Sequence, residues 1–307
     1  MAISLALLPI FLIILIGYLM KRLNFPGEGF WQPAERFLYF FLFPVMLVEK
    51  LTYASRDGVH LIELFLTIVI TLLLASTVLW LVQLKRNWRG PTFTSVYQGG
   101  IRFNSYVGLA AAHTLLGDSG LAVAAIMVSF MIPLLNLLCI GNFSYWVKQA
   151  RPGWRGMVLT IISNPLILGS LTGLLFNMLE VKFSAPVNQV LAFIGNMALP
   201  LGLLCVGAAL NLRAISGEVK TMAFTAIFKL LVVPVLFWGV GYQLSLSALT
   251  LSTVVILGSL PTATASYILA RQLGGDAPLM AGMISAQTLL AMISMPVVIP
   301  LLQTFSG

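Results

Sequence analysis

An arginine, an asparagine and two hydroxyl residues fall within five consecutive positions, as Arg102, Asn104, Ser105 and Tyr106, inside a run of apolar sequence. A guanidinium is planar and permanently charged, and it grips a carboxylate through two parallel hydrogen bonds. Hydrocarbon offers such groups no partner, so in a membrane they line a cavity or face other protein. Gly99 and Gly100 stand directly before them and weaken the helix. A second stretch of the same kind runs from Gly258 through Pro261, Thr262, Thr264 and Ser266 to Tyr267. We read Gly99, Gly100, Gly258 and Pro261 as marking two helix breaks that cross. Arg102, Asn104, Ser105, Tyr106, Asn136, Pro261, Thr262, Thr264 and Ser266 are the substrate-binding candidates around that crossing. Asn164, Gln98 and Gln287 are supporting candidates.

Each candidate has a structural alternative. The hydroxyls and amides can bond carbonyls freed at the breaks instead of a substrate. Asn136 and Asn164 can serve as interhelical polar contacts. Arg102 either meets a substrate carboxylate or snorkels into a cytoplasmic vestibule. Lys229 either snorkels along its four-carbon stem or serves as a fixed cation in place of a coupling ion, or as a proton carrier. The acids Glu28, Glu35, Glu49, Asp57, Glu63, Asp118, Glu180, Glu218 and Asp276 all fall at span ends or in loops. That excess of membrane cation over membrane acid favours an anionic substrate over a transported cation. His60 and His113 lie near outer span ends, where structural or solvated roles are expected. Asn142-Phe143-Ser144 matches a glycosylation sequon but lies at a cytoplasmic span end, so we discount it. The sequence holds no phosphate loop, no metal-spaced His/Cys cluster and no catalytic constellation, so we expect no enzyme activity, no cofactor and no metal.

The elements that position these residues are membrane spans. The chain has 307 residues, 59% hydrophobic and 8% charged, with a mean hydropathy of +1.00; a soluble domain carries roughly 25% charge. The net charge of +8 resides in short loops between apolar runs, which points to membrane orientation and not to nucleic acid. Cys139 and Cys205 lie within apolar runs and read as small buried hydrophobes. Ten spans are marked, at 3–20, 34–52, 60–83, 92–115, 120–146, 157–178, 185–210, 220–243, 250–272 and 278–303. The first, with Lys21 and Arg22 after its apolar run, reads as a retained span and not a cleaved leader. Basic residues concentrate after odd spans, as Lys85, Arg86 and Arg89, then Lys148, Arg151 and Arg155, then Arg213 and Lys220. The odd loops are therefore expected in the cytoplasm and both termini outside. Trp80, Trp88, Trp146 and Trp154 fall near the expected interfaces, as an aromatic belt does.

An internal repeat is visible. Pro9, Gly17 and Pro44 recur as Pro165, Gly173 and Pro200, each displaced by 156 positions. Gly117-Asp118 recurs as Gly275-Asp276. Five spans per copy is an odd number, so the second copy enters the membrane from the opposite side. Residues 1–150 and 151–307 then form two inverted five-helix repeats. Secondary transporters are built this way, with the site where discontinuous helices meet near the midplane.

Arg102-Phe103-Asn104-Ser105-Tyr106-Val107-Gly108-Leu109, Ile132-Pro133-Leu134-Leu135-Asn136 and Asn164-Pro165-Leu166-Ile167 resemble the auxin efflux carrier family. So do Leu199-Pro200-Leu201-Gly202-Leu203, Gly207-Ala208-Ala209-Leu210, Lys229-Leu230-Leu231 with Pro234, and Leu260-Pro261 with Tyr267-Ile268-Leu269-Ala270. The resemblance covers essentially the whole chain and is to a bacterial, PIN-like member. It implies an all-α, NhaA-like fold with broken, crossing fourth and ninth helices. Spans 1, 2, 6 and 7 would form a scaffold and homodimer surface, and spans 3–5 and 8–10 a transport domain. It further implies efflux of a small auxin-like or carboxylate anion by an elevator-type motion, from a bacterial inner membrane. Where plant members carry proline at the span-four crossing, this chain has Gly99, Gly100 and Asn104, so substrate identity does not carry over. A sodium-coupled organic anion symporter of the bile-acid type and an anion channel are the alternatives.

Overall fold

The computed structural model describes residues 2–27, 29–54, 60–147 and 163–304. Glu28, Arg56, Asp57, Lys148, Arg151, Trp154, Arg155 and the start of the expected sixth span at 157–162 lie outside the described residues. Within them every regular element is helical. Six helices are long and apolar enough to cross a membrane: Ile3–Arg22, Leu61–Arg86, Gly90–Trp146, Ala185–Ala208, Val219–Gln243 and Ala277–Thr304. Pro165–Met178 and Ala248–Gly258 are shorter apolar helices.

The elements are α1 (Ala2–Arg22), α2 (Trp31–Phe37), α3 (Phe43–Thr52), α4 (Leu61–Arg86), α5 (Gly90–Ile101) and α6 (Ser105–Trp146). They continue with α7 (Pro165–Met178), α8 (Ala185–Asn196), α9 (Ala198–Ala208), α10 (Val219–Ile227), α11 (Val233–Gln243), α12 (Ala248–Gly258), α13 (Ala265–Leu273) and α14 (Ala277–Thr304). A π turn, Leu38–Leu42, joins α2 to α3, and a second, Phe228–Val232, joins α10 to α11. Each directly precedes a helix with proline in its first turn, Pro44 or Pro234. Proline has no N–H to donate and crowds the carbonyl four residues back, and a widened turn relieves both.

Helix α6 consists of two limbs, 105–116 and 118–146, meeting at Gly117, whose φ of 67° and ψ of −159° are non-helical. A positive φ of that kind suits a residue without Cβ. Helix α1 packs along α9, α3 along α7, and α12 lies between α6 and α11. Small residues permit the closest approaches. A Cβ on Gly173 would lie 2.8 Å from the Leu47 carbonyl oxygen, and one on Gly17 would strike the Leu204 backbone. In lipid, where no hydrophobic force drives one helix onto another, such contacts hold helices together by van der Waals packing.

Candidate functional site

Two helices stop inside the protein. Helix α5 ends at Ile101, residues 102–104 are extended or irregular, and α6 restarts at Ser105. Helix α12 ends at Gly258, and α13 starts at Ala265. The backbone groups released at the two breaks bond across to each other. The Asn104 N–H donates to the Pro261 carbonyl at 2.9 Å. The Thr262 hydroxyl donates to the Gln98 carbonyl at 3.3 Å. Gln287 of α14 completes the crossing, accepting from the Thr262 N–H at 2.9 Å and donating to the Gly99 carbonyl at 3.1 Å. Buried backbone groups need such partners, and here they come from elements far apart in the chain.

Gly99 and Gly100 are not the break. Both are helical residues of α5, and the chain leaves the helix at Arg102. Close packing accounts for them, since a Cβ on Gly100 would come within 2.8 Å of Leu79 Cδ1 and 3.2 Å of Phe228 Cδ1. Gly258 closes α12, and its carbonyl accepts from Lys229 Nζ at 3.1 Å. Lys229 is 1% exposed, so its side chain does not snorkel. Its Nζ donates at the carbonyl end of a helix, where a donor or cation is favoured.

Beside the crossing opens a cavity of about 580 Å³. Its wall includes Arg102, Asn104, Ser105, Tyr106, Asn136, Asn164 and Thr264. Pro261, Thr262, Ser266, Gln98, Gln287, Gly99, Gly100, Gly258 and Lys229 lie outside that wall, and all nine are buried. Three helices, α6, α7 and α13, begin at the wall, so three positive helix ends converge there. Asn104 caps α6, its Oδ1 accepting from the N–H groups of Tyr106 and Val107. Asn164 caps α7 in the same way, accepting from Leu166 and Ile167. With Oδ1 spent on the cap, the Nδ2 of Asn104 is buried without a partner among the described residues, on a residue 2% exposed.

The Arg102 guanidinium donates to Asn136 Oδ1 at 3.2 Å and meets Cys139, one turn along α6. Among the described residues no carboxylate forms a salt bridge with it within 4 Å. Tyr106 stacks on Phe43 with ring centroids 5.0 Å apart. The Tyr39 hydroxyl meets the Asn164 carboxamide. Such a cavity can hold a small anion, with the guanidinium and three helix ends available to a carboxylate.

The chain matches the family model described as "Membrane transport protein" over residues 155–299. It is 24% identical over 298 residues to an "Uncharacterized transporter" of Methanothermobacter thermautotrophicus, covering 94% of this chain and 95% of that protein. It is 23% identical over 285 residues to a "Putative malonate transporter" of Rhizobium meliloti, covering 87% and 85%. These matches point to a membrane transporter. The auxin efflux carrier motifs had pointed to it, and a transporter, not an enzyme, is what the matches support.

One wall of the transporter's cavity went unread in the sequence. Gln32, Glu35, Arg36, Tyr39 and Phe40, from α2 and the π turn after it, all face the cavity. Glu35 therefore corrects the expectation that every acid lies away from the site. It was counted as a span-end residue, and nothing local to it shows that the start of α2 lies beside a break 67 positions later. Arg36 places its guanidinium 6.0 Å from the centre of the Phe40 ring.

Proposed function

We propose that this transporter is a secondary carrier exporting a small organic carboxylate by elevator-type alternating access. The cavity at the crossing carries the proposal: Arg102, Asn104 and the starts of three helices line one space. Ser105, Tyr106 and Thr264 are the further substrate contacts, and Asn136 and Asn164 hold the arginine and a helix end in position. Pro261, Thr262, Ser266, Gln98 and Gln287 belong to the crossing that supports the cavity, and Lys229 compensates the end of α12. Arg102, Arg36 and the helix ends outweigh the single acid Glu35, so the cargo class is anionic. A dicarboxylate such as malonate, named for one relative, belongs in the test panel beside aromatic acids.

The architecture we propose is two inverted five-span repeats. Pairwise packing supports it, since α1 lies on α9 as α7 lies on α3. The close contacts repeat too: Gly17 abuts Leu204 and Gly173 abuts Val48, each pair related by the interval of 156. Spans 1, 2, 6 and 7 would be the scaffold and homodimer surface, and the remaining six the moving domain. The positive loops favour an inner-membrane protein with both termini outside.

The test is counterflow in proteoliposomes with labelled malonate, other aliphatic acids and aromatic carboxylates, comparing wild type with Arg102→Ala. We expect saturable exchange of at least one carboxylate, reduced at least about tenfold in the variant, because a hydrogen bond from a charged group contributes about 1.5–3 kcal/mol. Large passive anion currents without counterflow would instead indicate a channel. Exchange that requires sodium would indicate a symporter.

A further inference from the structure

A second cavity, of about 440 Å³, lies between α4 and the second limb of α6, away from the crossing. Its wall is mostly aliphatic, and Leu73, Leu81, Leu84 and Leu137 are exposed there on the outer surface of the helices. A crevice with such a rim opens to acyl chains. One group in it is out of place. Asn142 is 4% exposed, lines the crevice, and among the described residues neither its Oδ1 nor its Nδ2 has a partner.

The hydroxyl protons beside it are already committed. The Tyr97 hydroxyl donates to Ser76 Oγ at 2.8 Å, and Ser76 donates in turn to the Leu72 carbonyl at 2.6 Å. The Thr77 hydroxyl donates to the Leu73 carbonyl at 2.8 Å. A buried carboxamide with both ends unmet calls for a partner from outside the chain.

The charge around the crevice says what kind of partner. Leu84, at its rim, is followed at once by Lys85 and Arg86 in the last turn of α4, and Arg89 lies just beyond; all three are exposed. The acid of α4, Glu63, is in its first turn, at the opposite end. The crevice also includes Trp80, whose ring lies 5.1 Å from Tyr145 and 5.7 Å from Trp146. Aromatic rings gather at the lipid headgroup level, and basic residues there attract anionic headgroups.

We propose that this crevice is a binding site for one anionic phospholipid. An acyl chain lies along Leu73, Leu81 and Leu137. A glycerol ester carbonyl accepts from Asn142 Nδ2, water entering with the headgroup meets Oδ1, and the phosphate faces Lys85 and Arg86. The sequon at Asn142 has no part in this, because a residue so buried is closed to a glycosylating enzyme.

The experiment is native mass spectrometry of the full chain in detergent, with phosphatidylglycerol or phosphatidylethanolamine added, alongside thermal unfolding of the same samples. We expect wild type to keep one phosphatidylglycerol per chain when other lipids are stripped, and to unfold at higher temperature with it than with phosphatidylethanolamine. Asn142→Leu should stay folded, because it replaces an orphaned amide with an apolar side chain, and should lose both effects. Leu138→Trp, which fills the crevice with a larger side chain, should lose them too. A Lys85→Gln, Arg86→Gln double variant should bind the two lipids alike. Equal retention of both lipids by wild type would overturn the proposal, as would undiminished phosphatidylglycerol retention by Asn142→Leu or Leu138→Trp.

Discussion

Asn104 divides its work between two atoms. Its Oδ1 holds the first turn of α6, and its Nδ2 is buried with no partner among the described residues. Aspartate caps a helix as well as asparagine does and adds a favourable negative charge at the N-terminus. Asn104→Asp should therefore leave the thermal midpoint close to wild type. It removes the donor and puts a negative charge in the wall of the cavity, against an anionic cargo, so counterflow should fall about tenfold or more. Unchanged transport in a folded Asn104→Asp protein would mean that the amide is not a cargo contact. Arg102 is held in place by Asn136 and Cys139 and forms no salt bridge among the described residues, which leaves its charge available to an anion.

Breaking a helix inside a membrane exposes carbonyl and N–H groups, and each one left unmet costs about 1–3 kcal/mol. The two broken helices meet this cost jointly. Gln287 serves one group from each break, so Gln287→Leu should orphan the Thr262 N–H and the Gly99 carbonyl together. The expected result is destabilisation of about 2–6 kcal/mol, summed over the two groups. Thermal unfolding in detergent, by intrinsic fluorescence, would measure it; a midpoint equal to wild type would show that water replaces the glutamine. The weakness of these two stretches as uninterrupted helices was legible from glycine, proline and polar residues in an apolar run. The place where α5 stops was not, because Gly99 and Gly100 serve packing against Leu79, Phe228 and Met283, and local composition cannot separate that use from a break.

Between the proposed scaffold and moving domain, an ion pair joins α3 to the kink of α6. Lys50 Nζ lies 3.2 Å from Asp118, which also lies 3.3 Å from His113 Nε2. Both charges are partly exposed, so the pair itself contributes little to stability. Its position makes it a place to lock the two parts. Cysteines at positions 50 and 118, joined by a short bifunctional thiol reagent, should abolish counterflow while leaving carboxylate binding intact. Isothermal calorimetry on the crosslinked protein measures the binding, and release of a cleavable crosslinker should restore transport. Full transport in the locked protein would exclude a sliding motion between α3 and α6.

Membrane class, helical content and the two weak stretches follow from hydropathy, charge and backbone chemistry, which are properties of a residue and its near neighbours. A span in lipid must satisfy most of its own backbone bonds, so the sequence of each segment carries most of its own structure. The partnerships were decided elsewhere. Asn104 meets Pro261, Lys229 finds the Gly258 carbonyl, and Gln287 joins both breaks, across separations that no local pattern encodes. Glu35 enters the cavity wall, and Asn142 is stranded in a crevice, for the same reason. Burial and hydrogen-bond supply depend on which helices pack side by side, and packing is set by the shapes of surfaces brought together from distant parts of the chain.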